Sequence, residues 1–149
     1  MEMFKLPSNF KEGKIVHITY ACNMIMCTIK LIDSTEVYFH IQCWMRIFDC
    51  NGDLIICSND FYHSTEEQLE SEYDYSKTLF AVSLRDHKDK ILSTTIKDLM
   101  FDNHDIKIIF ENGMRMDIFR NVSKYDDMNY AEDYRFFDDD KEKDHYIYP

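Results

Sequence analysis

Five cysteines, six histidines and 28 carboxylates are the side chains of this 149-residue chain best suited to chemistry. Cys22, Cys27, Cys43, Cys50 and Cys57 are separated by 4, 15, 6 and 6 residues. No Cys-x-x-Cys occurs, so neither a zinc ribbon nor a thioredoxin-like site is supported. A nucleophilic Ser or Cys needs a His base held beside it on a shaped turn. The chain has no Gly-x-Ser-x-Gly elbow. Cys43 follows His40 by three residues, an offset that puts the two on opposite faces of a strand. The histidines (His17, His40, His63, His87, His104, His145) are scattered singly, and Asp60 with His63 is too sparse for a metal site. Asp138-Asp139-Asp140 with Glu142 and Asp144 has the composition of a calcium loop. It lacks the turn glycine and flanking helices of an EF-hand. Three isolated glycines cannot build a phosphate cradle. Paired carboxylates for glycoside hydrolysis are available among so many acids, but no pair is singled out. The expectation is therefore no enzyme, no cofactor and no metal.

One segment stands apart from this inventory. In Cys43-Trp44-Met45-Arg46-Ile47, strand alternation puts Trp44 and Arg46 on one face and Met45 and Ile47 on the other. The expectation is structural: Trp44 buried in the core, with the Arg46 guanidinium packed near it or paired with an acid such as Asp60. The competing reading is a binding hot spot, where Trp and Arg are enriched.

The elements that position these residues read mainly as strands. Residues 14–20, 24–32 and 36–42 alternate with period two, Val16, Ile18 and Tyr20 sharing one face. Trp44 to Asp49 and Leu54 to Cys57 flank Asn51-Gly52. Ile106 to Phe110 and Met114 to Phe119 flank Asn112-Gly113. Both pairs are expected as hairpins on type I′ turns. Ser64 and Glu67 fit a capping box for a short helix running to about Tyr73. Tyr75, Leu79, Val82 and Asp86 predict a helix over Ser76 to Lys88, followed by an extended run from Ile91 to Met100. Tyr134 to Phe137 and His145 to Tyr148 are expected as short aromatic strands. The sum is one α+β domain over 1–149. It is a mostly antiparallel meander sheet, curved or half-barrel, of about nine short strands, with one or two helices in the middle.

The net charge of -11 is unevenly placed. Residues 59–74 hold six acids (Asp60, Glu66, Glu67, Glu70, Glu72, Asp74) and no Lys or Arg, a charge of -6. Residues 125–149 hold nine acids against Arg135, Lys141 and Lys143, again -6. The remainder comes to +1. Such a balance argues against a nucleic-acid partner, which calls for a basic surface. No run approaches the 18 apolar residues of a membrane span. The first 20 residues lack the basic start and apolar run of a signal peptide. With an odd cysteine count, this makes a reducing cytoplasm the expected compartment.

Several of these motifs together resemble a loose family of small bacterial proteins. Its pattern is a strand ending in Trp and Arg, a Gly turn, a strand and Ser-x-Asp. Here it reads Ile41 to Ile47, Gly52 and Ser58-Asn59-Asp60. The second half, Phe110-Glu111-Asn112-Gly113, Met116-Asp117-Ile118-Phe119 and Glu132-Asp133-Tyr134-Arg135-Phe136-Phe137, is similar too. Met45 separates a Trp and Arg that are adjacent in the pattern, and Tyr134 replaces a Trp. Some members of the family are immunity partners of polymorphic or contact-dependent toxins. The resemblance implies an immunity-type protein that neutralises a cognate toxin such as a basic nuclease domain. The acidic residues Glu66, Glu67, Glu70, Glu72, Asp74, Asp138, Asp139 and Asp140 would be its contacts. The alternative is a small ligand-binding or sensor domain, its aromatic pocket lying inside the curved sheet beside Trp44.

Overall fold

In the computed structural model, residues 2–3, 10–21, 24–64, 74–102, 105–119, 134–139, 143–144 and 146–148 are described. The strands are β1 (Glu2–Met3), β2 (Lys14–Ala21), β3 (Met24–Lys30), β4 (Glu36–Ile41), β5 (Trp44–Phe48) and β6 (Leu54–Cys57). Helix α1 (Leu79–Leu92) follows, then β7 (Ile96–Asp102), β8 (Asp105–Phe110), β9 (Arg115–Phe119), β10 (Tyr134–Phe137), β11 (Lys143–Asp144) and β12 (Tyr146–Tyr148). The α+β class and the antiparallel meanders are as expected. The strands divide, however, between two five-stranded sheets rather than forming one curved sheet. Their orders are β12-β10-β4-β3-β2 and β6-β5-β9-β8-β7, and β1 pairs with β11 in parallel.

Both sheets are amphipathic by strand alternation. In the first, Ile25, Cys27, Ile29, Val37, Phe39, Ile41, Tyr134 and Phe136 are buried. In the second, Met45, Ile47, Ile106, Ile108, Met116 and Ile118 are buried. All join one hydrophobic cluster, so the sheets share a core. Strand β2 departs from simple alternation. A bulge between Ile15 and His17 resets its phase, so Ile15 and Ile18 are buried and Val16 is exposed.

Among the described residues, two direct links join the sheets. The chain passes from β4 to β5 through only Gln42 and Cys43, so it changes sheet at a sharp corner. At the far side, Glu12 and Gly13 exchange backbone hydrogen bonds with Ile96 at the start of β7 (2.8 and 2.7 Å). Helix α1 spans the gap between β2 of one sheet and β6 of the other. It buries Phe80, Leu84 and Ile91, spaced as one helical stripe.

The helix starts and ends later than the sequence suggests. The Thr78 hydroxyl accepts from Ala81 N at 3.2 Å and begins it. Ser76 instead belongs to a 3₁₀ turn capped by Asp74. Ile91 completes the buried stripe, so the following strand begins only at Ile96. Ser64 forms an isolated bridge with Thr78. The rest of the helix expected up to Tyr73 lies outside the described residues.

Both Asn-Gly hairpins form, but on a different turn from the expected type I′. Gly52 (φ 83°) and Gly113 (φ 89°) are left-handed, whereas Asn51 and Asn112 are not. Gly52 N donates to Asp49 O and Asp49 N to Asp53 O, and Phe110 to Met114 repeats this pattern. Each loop is thus a type I turn closed by a left-handed glycine, a three-residue hairpin. Asp49 Oδ1 accepts from Asn51 N and Asp53 N, which favours the longer loop.

Candidate functional site

The sheet-changing corner exposes the residues that the sequence singled out. Ser58 stabilises it: Met45 N donates to Ser58 Oγ at 2.7 Å, and the hydroxyl lies 3.3 and 3.4 Å from the carbonyls of Met45 and Cys43. Asp60 caps the next turn, accepting from Cys57 N at 2.9 Å and from Cys57 Sγ at 3.3 Å. Ser58-Asn59-Asp60 is therefore a structural device in this chain. It holds β5 against the turn that follows β6.

Trp44 is the main correction. It is 47% exposed rather than buried, because Met45 and Ile47 take the inward positions of β5 and leave the even-numbered residues outside. Arg46 is also exposed, and its guanidinium packs over Phe119 (4.6 Å) and Phe48 (5.4 Å), not on Trp44 or Asp60. Trp44 borders a cleft of about 160 Å³ shared with Tyr20, Gln42, Phe61 and Tyr62. Tyr62 is 81% exposed. Tyr20 and Phe61 stack with centroids 3.5 Å apart and make the cleft's rigid wall. The cleft is smaller than the roughly 300 Å³ at which small-molecule pockets begin. It matches the size of a single inserted side chain.

From Arg46 the outer face of the second sheet continues into a groove of about 500 Å³. Its floor is a cross-strand row of Arg46, Asp117, Lys107 and Met100. Asp117 is buried, and Arg115 Nε donates to its Oδ2 at 3.2 Å. Oδ1, 3.0 Å from the same nitrogen, is held by charge rather than by an aligned hydrogen bond. Arg115 in turn covers the Phe48 ring at 4.4 Å. The face is thus a ladder of aromatic rings and guanidinium groups organised around one buried carboxylate.

Two cysteine thiols elsewhere are held in their neutral form. Burial pushes the Cys27 thiol up to about 12, far from a reactive thiolate. Burial, and then the Asp60 carboxylate, raise Cys57. His40 packs edge-on against Phe137 at 4.7 Å while Cys43 points into the core, so the two form no pair. Among the described residues no cluster of His, Cys, Asp or Glu is arranged to hold a metal ion.

The acidic candidates fall into three groups. Glu66, Glu67, Glu70, Glu72 and Asp140 lie outside the described residues. Asp74 is exposed and accepts from Ser76 N and Oγ (3.0 and 2.7 Å), which lowers its pKa. Asp139 takes a hydrogen bond from Tyr38, whose pKa is thereby raised, and Asp138 precedes it at the end of β10. Tyr75, next to Asp74, stacks on Tyr20 in the register row Tyr20, Ile25, Ile41, Tyr134. Asp138 lies four residues past that row and three strands across. By sheet spacing, Asp138 is about 20 Å from the row position of Tyr20, on which Tyr75 stacks. Asp74 is not brought together with Asp138 and Asp139.

Sequence reading singled out Trp44 and Arg46 but missed Tyr62, Phe119 and the groove. The outward alternation Arg115, Asp117, Phe119 was a readable signal for the last two. No known protein family, curated protein or solved structure matches the chain. No helix among the described residues is long and apolar enough to cross a membrane.

Proposed function

We propose that this chain is a non-catalytic protein-binding module of the immunity type, which captures a cognate toxin with a basic surface and blocks it stoichiometrically. The observation that carries the reading is the half-exposed Trp44 at the mouth of a one-side-chain cleft, beside Arg46 and the exposed Tyr62. Exposed Trp, Tyr and Arg around a small pocket make up the chemistry of an interface anchor. The net charge of -11 favours a basic partner and accelerates encounter with it. The acidic residues from Glu66 to Asp74 and from Asp138 to Asp140 would then act as two separate flanks rather than one patch.

Co-expression with a toxin domain encoded by a neighbouring gene tests this reading. A one-to-one complex on size exclusion, with growth restored, is the expected result. Absence of both the complex and the protection would overturn it. Loss of the complex on Trp44→Ala would place the anchor, whereas charge reversal at Asp74 or Asp138 should mainly slow association.

A further inference from the structure

Strand β7 is the edge of the second sheet. Its first residue is already covered: Ile96 bonds to Glu12 and Gly13 before β2 turns away into the other sheet. Beyond Ile96, its outward N–H and C=O groups meet no partner among the described residues. An open edge of this length is a template for another strand. Its two ends carry edge-protecting features, Lys97 and Asp98 with a bulge at one end and Asp102 at the other, but its centre carries none. Met100 and Phe101 are 38% and 42% exposed, on opposite faces, and both border the 500 Å³ groove. On the outer face, Asp98, Met100 and Asp102 alternate as acid, apolar, acid.

We infer that β7 receives an extended segment of a protein partner as a sixth strand of the sheet, and that this segment carries basic residues four apart with apolar residues between them. The inference deepens the binding-module reading and rests on it. Added strands place side chains directly opposite one another, so opposite charges attract and like charges repel. Bases four residues apart face Asp98 and Asp102, while the residues between them cover Met100, Leu99 and Phe101. A second copy of this chain fits less well. Self-pairing centred on Met100 sets Asp98 of one copy against Asp102 of the other.

The probe is a synthetic, blocked peptide with the core Lys-Val-Leu-Val-Lys, titrated into the intact protein. Amide NMR and hydrogen exchange are read at residues 97–102. The expected result is slowed exchange and shifted amides along β7. A peptide N-methylated at alternate amides should not bind, because it cannot complete the ladder. Reversing both acids, Asp98→Lys with Asp102→Lys, should weaken the peptide about tenfold and confer binding of the same peptide with Glu in place of both Lys. Both substitutions are at the rim of the edge and leave the core intact.

No response up to about 1 mM peptide overturns the inference, as does binding mapped to the Trp44 cleft. A concentration-dependent dimer protecting β7 would assign the edge to a second copy and overturn it too. A toxin complex that forms while the β7 amides exchange freely would sink the edge and leave the binding-module reading standing.

Discussion

The two faces of β5 divide the work of five consecutive residues. Met45 and Ile47 are fully buried between sheet and core, while Trp44 and Arg46 stand on the opposite side, in reach of solvent. The inward pair joins the core, and its burial drives the fold. The outward pair contributes surface chemistry: an indole at a cleft, and a guanidinium over two rings. Aromatic content alone does not separate the roles, because Phe39 and Phe136 stack at 4.1 Å deep inside the core. Position on the pleat does. Substitutions one residue apart should therefore fail in different ways.

The largest effect belongs to the inner face. Ile47→Ala should remove about 2–5 kcal/mol of stability, since the cavity would open between its register partners Ile56 and Met116. Chemical denaturation measures this directly. A loss below about 1 kcal/mol would mean that the inner face of β5 is not packed as described.

Next comes the corner at which the chain changes sheet between β4 and β5. Ser58→Ala strips the Met45 amide of its acceptor and should cost about 1–3 kcal/mol. Ser58→Thr, which keeps the oxygen, should recover part of that loss. Equal loss in both variants would show that shape rather than the hydrogen bond holds the corner.

The hairpin glycines allow a finer comparison. Both sit at positive φ, where an added Cβ costs about 1–2 kcal/mol. Gly52 faces open space, whereas a Cβ on Gly113 would meet Cys50 Cβ at 3.1 Å. Gly113→Ala should therefore be the more destabilising of the two by denaturant midpoint. Cys50→Ala would not erase the gap, because the contact is with Cβ itself.

Much of this was legible in the sequence, for a physical reason. Period-two alternation is a local property, and it revealed most strands and the shared face of Trp44 and Arg46. The assignment of that face to the core failed because alternation identifies two faces without saying which is inward. The residue types suggested Trp44, but Met45 and Ile47 together bury more reliably than a Trp alternating with an Arg. The β2 bulge escaped because one extra residue at Val16 inverts the pattern with no compositional mark. The division into two sheets depends on a corner whose closing group, Ser58, is remote in sequence. The left-handed glycines were foreseen at both turns, but the loop length depended on side-chain acceptors such as Asp49.

The smallest expected effect is the one that gives the comparison its meaning. Trp44→Ala removes a large side chain that is already half in water, so little apolar area is lost from the folded state. Arg46→Ala gives up two exposed cation–π contacts, each worth about 0.5–1 kcal/mol at most. Trp44→Ala should change stability by less than about 1 kcal/mol and Arg46→Ala by no more than about 1–2 kcal/mol, and both should leave the near-ultraviolet signal of the buried rings intact. A partner-binding role makes the opposite demand on the same residue. Anchor truncation should cost about 2 kcal/mol or more in affinity. A Trp44→Ala protein that unfolds like Ile47→Ala would return Trp44 to the core. One that folds normally but no longer binds separates fold from recognition at neighbouring residues of a single strand.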